Sequence, residues 1–299
     1  MRLHAIYRSH GGENVKGRPG WYGKQRALLS FCRAVAQARR SVDVDVVFLN
    51  DGPIPAERLD VMRAWGTPLP FTGGSNRRSY LRALALPRQR DWAGEDLVLL
   101  AEDDYLWTPA ALTALLAASR TTTADYFAPY SPAPGGAAGT APDTTLGTAP
   151  GAGVAAPGEV RWVPLESTTS TFAARVGALR QDERLLLLCC LSGGDFDHTS
   201  CLTLQGVARF GPRDLLRHKP LPPGTGTART LARNAYLTAM KLAVDVRAQR
   251  RPSRRRTLLA ASPAVATHME SGWVAPGDWA ALARETDEWA RTSAAGGEG

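Results

Sequence analysis

Three consecutive carboxylates, Glu102, Asp103 and Asp104, follow directly on the apolar run Leu97-Val98-Leu99-Leu100-Ala101. A run this apolar reads as a strand buried on both faces, as in a parallel sheet, and open α/β sheets bind ligands just beyond the carboxyl ends of their strands. Adjacent anions repel one another unless cationic groups neutralise them, and hard oxygen ligands suit Mg²⁺ or Mn²⁺. The plainer alternative is a solvated acidic turn ahead of a helix opened by Thr108-Pro109. A second group with chemistry in it is Ser192-Gly193-Gly194-Asp195-Phe196-Asp197-His198-Thr199. A carboxylate acts as a general base if it reaches the proton and its pKa is not too low. In an extended stretch, alternation about Phe196 puts Asp195 and Asp197 on one face; if a helix starts here instead, an aspartate is its N-cap.

The elements that must hold these residues follow from periodicity. His4-Ala5-Ile6-Tyr7 reads as a first strand, then a glycine-rich loop from Gly11 to Gly20, then a helix with Leu28, Phe31, Cys32 and Val35 on one face. Val42 to Leu49 is a second strand ending at Asn50-Asp51-Gly52-Pro53, Leu59 to Trp65 a short helix, Leu69 to Phe71 a third strand and Ser79 to Leu86 a helix. Strands alternating with helices predict an α/β fold with a mostly parallel sheet, its loops at Arg8, Asp51 and Asp103 gathered at one edge. Residues 131–158 are rich in Ala, Gly, Pro and Thr and read as a flexible low-complexity insertion, padding rather than a lid. Beyond them, Val160 to Leu165 and Ser170 to Ala173 read as strands and Val176 to Leu188 as a helix. A long helix from Ala228 to Arg247 carries Leu231, Ala235, Thr238 and Leu242 on one side. A last helix, Asp278 to Arg291, buries Trp279, Leu282, Ala283, Thr286 and Trp289, and residues 293–299 form a disordered tail.

Composition limits the rest. A chain of 299 residues with 44% hydrophobic residues can bury a real core. Its first residues are too few and too polar for a secretory signal, and no apolar run approaches a membrane span, so the cytoplasm is the expected location. Cys32, Cys189, Cys190 and Cys201 lack paired spacing and read as buried thiols, not as a zinc site or disulfides. Much of the net charge of +8 sits in the cluster from Arg247 to Arg256, which reads as a solvated loop between a helix and a strand. Without interleaved aromatic residues, nucleic acid is not the expected partner there, and peripheral contact with an anionic membrane is the alternative.

The order of these features resembles the GT-A fold glycosyltransferases, family 2-like enzymes in particular. Phe48-Leu49-Asn50-Asp51-Gly52 is similar to that family's Asp-Asp-Gly-Ser segment, Gly73-Gly74-Ser75-Asn76-Arg77-Arg78-Ser79 to its Gly-x-x-x-Ala-Arg-Asn segment, and Gly94 to Asp104 to its Asp-x-Asp strand. Glu-Asp-Asp replaces Asp-x-Asp, and Arg78-Ser79 stands where Arg-Asn is typical. The resemblance implies a metal-dependent enzyme moving a sugar from a nucleoside-diphosphate donor to a hydroxyl acceptor, with inversion. Residues 1–130 would form the nucleotide-sugar-binding half and 159–292 the acceptor-binding and catalytic half. Asp104 would be the principal ligand of Mn²⁺ or Mg²⁺. Asp103 would contact the ribose or share the metal, with Glu102 supporting the pair. Tyr7, Arg8 and Asp51 would line the nucleoside pocket, although an Asp-Gly pair also simply forms turns. Arg77 or Arg78 would screen the diphosphate unless, as is common for arginine on a helix, it lies at the surface. Asp197 or Asp195 would deprotonate the acceptor. His268 stands where many such enzymes supply a late histidine to the metal or the diphosphate, against the commoner packed histidine; Trp273 either stacks on the acceptor sugar or fills core space. A sugar-phosphate nucleotidyltransferase is the nearest enzymatic alternative, but the first loop lacks the Gly-x-Gly-Thr-Arg signature. A non-catalytic basic binding protein is the alternative outside enzymes.

Overall fold

Strands and helices alternate from the start of the chain: β1 (Leu3–His10), α1 (Lys24–Arg39), β2 (Val44–Asp51), α2 (Ala56–Trp65), β3 (Thr67–Phe71), α3 (Asn76–Gln89) and β4 (Leu97–Glu102). A short strand the sequence did not predict, β5 (Tyr105–Trp107), precedes α4 (Ala111–Thr121) and β6 (Tyr126–Ala128). The chain continues through β7 (Arg161–Pro164), β8 (Phe172–Arg175), α5 (Val176–Leu191), α6 (Phe196–Leu204), α7 (Pro212–Leu216), α8 (Thr227–Gln249), β9 (Leu258–Ser262), β10 (Ala266–His268) and α9 (Trp279–Ala295). This computed structural model describes residues 1–13, 15–130, 160–165, 168–193, 195–222, 225–251 and 255–295. The expected insertion at 131–158 and residues 296–299 of the expected tail lie outside the described residues; 293–295 belong to α9.

Among the described residues eight strands form one sheet in the order β3-β2-β1-β4-β8-β6-β9-β7. β1 to β4 are mutually parallel, β8 runs against both β4 and β6, and β7 runs against β9. The sheet is therefore mostly parallel with helices on both faces, the architecture the sequence predicts. The division expected at residues 130 and 159 crosses this sheet, because β6 lies between β8 and β9.

Alternation sorts the core into two layers. Leu3, Ala5 and Tyr7 of β1 join Val46 and Phe48 of β2 and Leu97 and Leu99 of β4 against α1, α4 and α9. Ile6, Val47, Leu49, Val98 and Leu100 face the other way, against α3 and α5. Leu97 to Ala101 are wholly buried, as expected of a strand covered on both sides. Trp279, Ala283 and Thr286 of α9 are buried on the spacing read from the sequence, and all four cysteines are buried thiols.

The side of α8 read from the sequence proves exposed, and the solvated-loop expectation fails in part. The Leu231 and Leu242 side of α8 faces outward, at 64% and 52% exposure, because the neighbouring α5, α6 and α7 are met by its opposite side, Leu237, Lys241, Val244, Asp245 and Ala248. The basic cluster is only partly a solvated loop: Arg251 and Arg256 turn inward to the buried Asp182 of α5, at 2.6 and 2.7 Å, because an uncompensated internal carboxylate would be costly. No helix among the described residues is long and apolar enough to cross a membrane.

Candidate active-site cleft

The parallel register brings the chemistry together. Arg8 of β1 pairs with Glu102 of β4, and His10 with Asp51 of β2, so the carboxyl ends of three neighbouring strands open on one side. There they line a cleft of about 610 Å³, a size suited to a nucleotide-sized ligand. Its walls include Arg8, Asp51, Glu102, Asp103, Asp104, Asp197 and His268.

Asp104 leaves β4 just before β5, and β5 pairs antiparallel with β10, with Tyr105 opposite His268. That pairing sets the His268 Nε2 3.1 Å from Asp104 Oδ2, with the imidazole stacked on the Tyr105 ring. Arg18 from the glycine-rich loop also reaches Asp104 Oδ2, at 3.3 Å, and donates to the Met269 carbonyl at 2.6 Å. Burial alone would raise the Asp104 carboxyl; the hydrogen bond and charge of His268, with Arg18 and Lys16, outweigh it and hold the group at about 2. Lys16 in turn pairs with Glu270 at 2.6 Å.

Asp103 is committed differently. Its Oδ2 accepts the His10 amide at 2.8 Å and lies 3.0 Å from the Lys24 ammonium, which also donates to the His10 and Gly12 carbonyls. Arg58 of α2 donates to the His10 and Gly11 carbonyls from the other side. Asp103 therefore anchors the first loop through that oxygen while lining the cleft. The loop lies so close to the β2–α2 turn that a Cβ on Gly11 would meet the Pro53 carbonyl oxygen at 1.9 Å.

Arg8 is 5% exposed. Its Nη2 donates to the Asn76 side chain and lies 3.5 Å from Glu102 Oε1, while the Tyr80 ring underlies the guanidinium. Its Nη1 is buried without a partner among the described residues. Glu102 accepts a hydroxyl from Thr171 at 3.3 Å; burial first, then Asp104, raises its carboxyl, with Arg8 opposing. Asp51 Oδ1 accepts the amides of Gly73 and Gly74 at 2.7 and 3.1 Å, so it shapes the β3–α3 loop while lining the cleft.

At the same cleft, α6 begins at Phe196, which replaces the extended reading of the 192–199 stretch with a helix start. Asp195 occupies the N-cap position but makes no side-chain cap hydrogen bond, is exposed and lies off the cleft wall. Asp197 lines the wall, and burial pushes its carboxyl above the ordinary value, with the Asp195 charge adding and Arg8 opposing.

Tyr7 departs from its expected place, and Arg77, Arg78 and Trp273 stand away from the cleft wall. Tyr7 lies in the core between Phe31 and Phe48, because the residue beside Arg8 on a strand must face the opposite layer; burial drives its phenol far up. Arg77 and Arg78 are exposed on α3 and stand off the cleft wall: Ser75 caps the helix, and the capped first turn directs Asn76 and Ser79 to the cleft instead. Trp273 is half-buried and outside the wall. The sequence reading missed Lys16, Arg18, Lys24 and Arg58. Lys16 and Arg18 carry a usable signal, as basic residues inside a glycine-rich loop after a first strand, whereas the Lys24 and Arg58 contacts depend on tertiary placement.

Among the described residues no three His, Cys, Asp or Glu side chains converge as a metal cage. Asp104 and His268 nevertheless form a carboxylate–imidazole pair on the cleft wall. Such a pair fits a divalent ion of the kind that takes one or two protein ligands and completes its shell with substrate phosphates.

No family model matches the chain, and no curated protein does. Among solved structures it is similar to S. aureus TarS, at 14% identity over 68% of this chain and 33% of that one, with a TM-score of 0.40. It is also similar to M. tuberculosis glucosyl-3-phosphoglycerate synthase, at 10% identity over 82% of this chain and 81% of that one, TM-score 0.39. A complex of that synthase with Mn²⁺, uridine diphosphate and phosphoglyceric acid gives 10% identity and a TM-score of 0.41, with 82% of this chain and 78% of that one covered. The chain thus spans about a third of the length of TarS. What this chain acts on is read from its own cleft.

Proposed function

We propose that the chain is a metal-dependent glycosyltransferase that moves a sugar from a nucleoside-diphosphate donor to a hydroxyl acceptor with inversion. The observation that carries this reading is the pairing of Asp104 with His268 in a cleft that is also lined by Arg8 and by Asp197, whose carboxyl pKa is raised. Asp104 and His268 would hold Mn²⁺ or Mg²⁺, and the ion when bound would offset the charge that builds on the departing diphosphate.

The remaining work falls to the chain. Arg8, 5% exposed and with one buried nitrogen unpartnered among the described residues, places a fixed positive charge beside the anionic oxygens of the donor. Asp103, Lys24 and Arg58 fix the loop that borders the donor. Asp197 accepts the acceptor's hydroxyl proton; the acceptor oxygen bonds to the anomeric carbon as the bond from that carbon to the diphosphate oxygen breaks, and the nucleoside diphosphate leaves with the electron pair. A carboxyl raised by burial is a stronger base than an exposed one, which suits this step.

Titration calorimetry with UDP, GDP and dTDP in the presence and absence of Mn²⁺ tests the donor half. Metal-dependent binding of one nucleotide is expected in the wild type and loss of it in Asp104→Ala, alongside slow hydrolysis of the matching sugar nucleotide. Absence of nucleotide binding by wild-type protein of intact fold overturns the reading. Release of pyrophosphate from a nucleoside triphosphate and a sugar phosphate would replace it with the nucleotidyltransferase.

A further inference from the structure

Helix α8 is apolar on two sides: Leu237, Val244 and Ala248 are buried together with Lys241 and Asp245, and a second apolar stripe faces outward. On its buried side the Lys241 ammonium donates to the Asp214 and Arg217 carbonyls, both at 2.7 Å, and Asp245 accepts the amides of Arg209 and Phe210. The opposite side, at three- and four-residue spacing, presents Leu231, Ala235, Ala239 and Leu242, all exposed. The stripe is about 17 Å long at the helical rise per residue. Tyr236 borders it at 48% exposure, and the 75% exposed Leu216 of α7 lies near its other edge, where Thr238 donates to the adjacent Leu215 carbonyl. An amphipathic helix that has already satisfied its inner face has no intramolecular use for a second apolar one.

Charge says what covers it. Residues 205–251 hold ten Arg and Lys against two Asp, an excess equal to the +8 of the whole chain, so the rest of the molecule is neutral. Both aspartates bind backbone amides, Asp245 as above and Asp214 that of Gly211. Arg213, Arg217 and Lys219, on and just after α7, and Arg229 and Arg247, near the two ends of α8, are exposed. A second copy is disfavoured: antiparallel pairing of two α8 helices would set the Arg229 end of one against the Arg247 end of the other. Nucleic acid has no use for an aliphatic stripe. An anionic bilayer matches both parts, because it takes apolar side chains below its headgroups and attracts cations to its phosphates.

We propose that α7 and α8 form a docking face for an anionic lipid bilayer, the Leu231–Leu242 stripe entering the headgroup layer and the flanking basic side chains meeting lipid phosphates. This contact is independent of the donor reading. It differs from the Arg247–Arg256 run as a whole, since Arg251 and Arg256 are held inside by Asp182. α8 also packs on α6, the helix that begins beside Asp197, so a docked molecule would hold that wall of the cleft near the lipid surface.

Sedimentation with vesicles tests it, using phosphatidylcholine alone and a mixture in which about a third of the lipid is phosphatidylglycerol. The full chain should sediment with the mixed vesicles and stay in solution with the neutral ones. Leu231→Gln/Leu242→Gln, at positions that touch solvent, should weaken binding roughly tenfold while leaving the unfolding midpoint unchanged, and Arg229→Gln should weaken it further. Failure to bind the mixed vesicles overturns the proposal. So does binding that the leucine substitutions leave untouched, which would be charge attraction alone, or a wild-type dimer that those substitutions dissociate, which would make the stripe a contact between copies.

Discussion

Asp197 is the residue on which the proposed chemistry is most exposed to test. Its carboxyl is raised by burial first and by Asp195 second, so it binds a proton at a higher pH than an ordinary aspartate. The deprotonated form is the base, so activity should be full above that raised pKa and fall as pH drops through it, giving kcat/KM an acid limb displaced upward from the usual aspartate range. Asp197→Asn should lower kcat by about 10²-fold or more and remove that limb, with nucleotide affinity by calorimetry unchanged. An equal loss in Asp195→Asn, with Asp197→Asn near wild type, would transfer the role to the exposed neighbour. Asp104 responds in the opposite direction: held at about 2 by His268, Arg18 and Lys16 against its own burial, it remains an anion across the working range and leaves no mark on the same profile.

At the scale of elements, the base depends on how α6 starts. Gly193, in the turn ahead of α6, has φ +75°, and a Cβ there would come within 2.6 Å of a Leu237 methyl on α8. The Leu237 side chain can move, so the backbone conformation is the firmer constraint. Gly193→Ala should cost about 1–2 kcal/mol in urea unfolding and lower kcat through a displaced Asp197, without changing nucleotide affinity. An unchanged midpoint would mean that the turn relaxes at no cost. Much of this level was legible in the sequence, for a physical reason: buried parallel strands must be continuously apolar, and their polar ends mark the cleft. Arg8, Asp51 and Glu102 to Asp104 could thus be placed at one edge from the pattern alone. Tyr7 could not be assigned correctly by proximity to Arg8, because one residue along a strand reverses the face. The β5–β10 pairing was hidden as well. Three-residue strands carry almost no periodicity, and it takes that pairing to bring Asp104 and His268 together across 164 residues of sequence.

For the molecule as a whole, the part of the basic run that turns inward ties separate elements together. Asp182 of α5 accepts Arg251 and Arg256 from beyond α8 and the Tyr126 hydroxyl of β6, at 2.6, 2.7 and 2.9 Å, and is itself almost wholly buried. Composition could not reveal this, since a run of arginines looks the same whether it faces water or an internal carboxylate. The distinction has a measurable consequence. Asp182→Ala removes one anion but leaves two largely buried guanidinium groups and a buried phenol without it, and the cost of breaking such a network exceeds that of losing a surface pair. A loss of about 3–5 kcal/mol in denaturant unfolding is expected, compared with under about 1 kcal/mol for removing Asp60 from its exposed pair with Arg63. Similar small losses for both would mean that Arg251 and Arg256 readily turn out to solvent, where they would rejoin the cationic surface around α8.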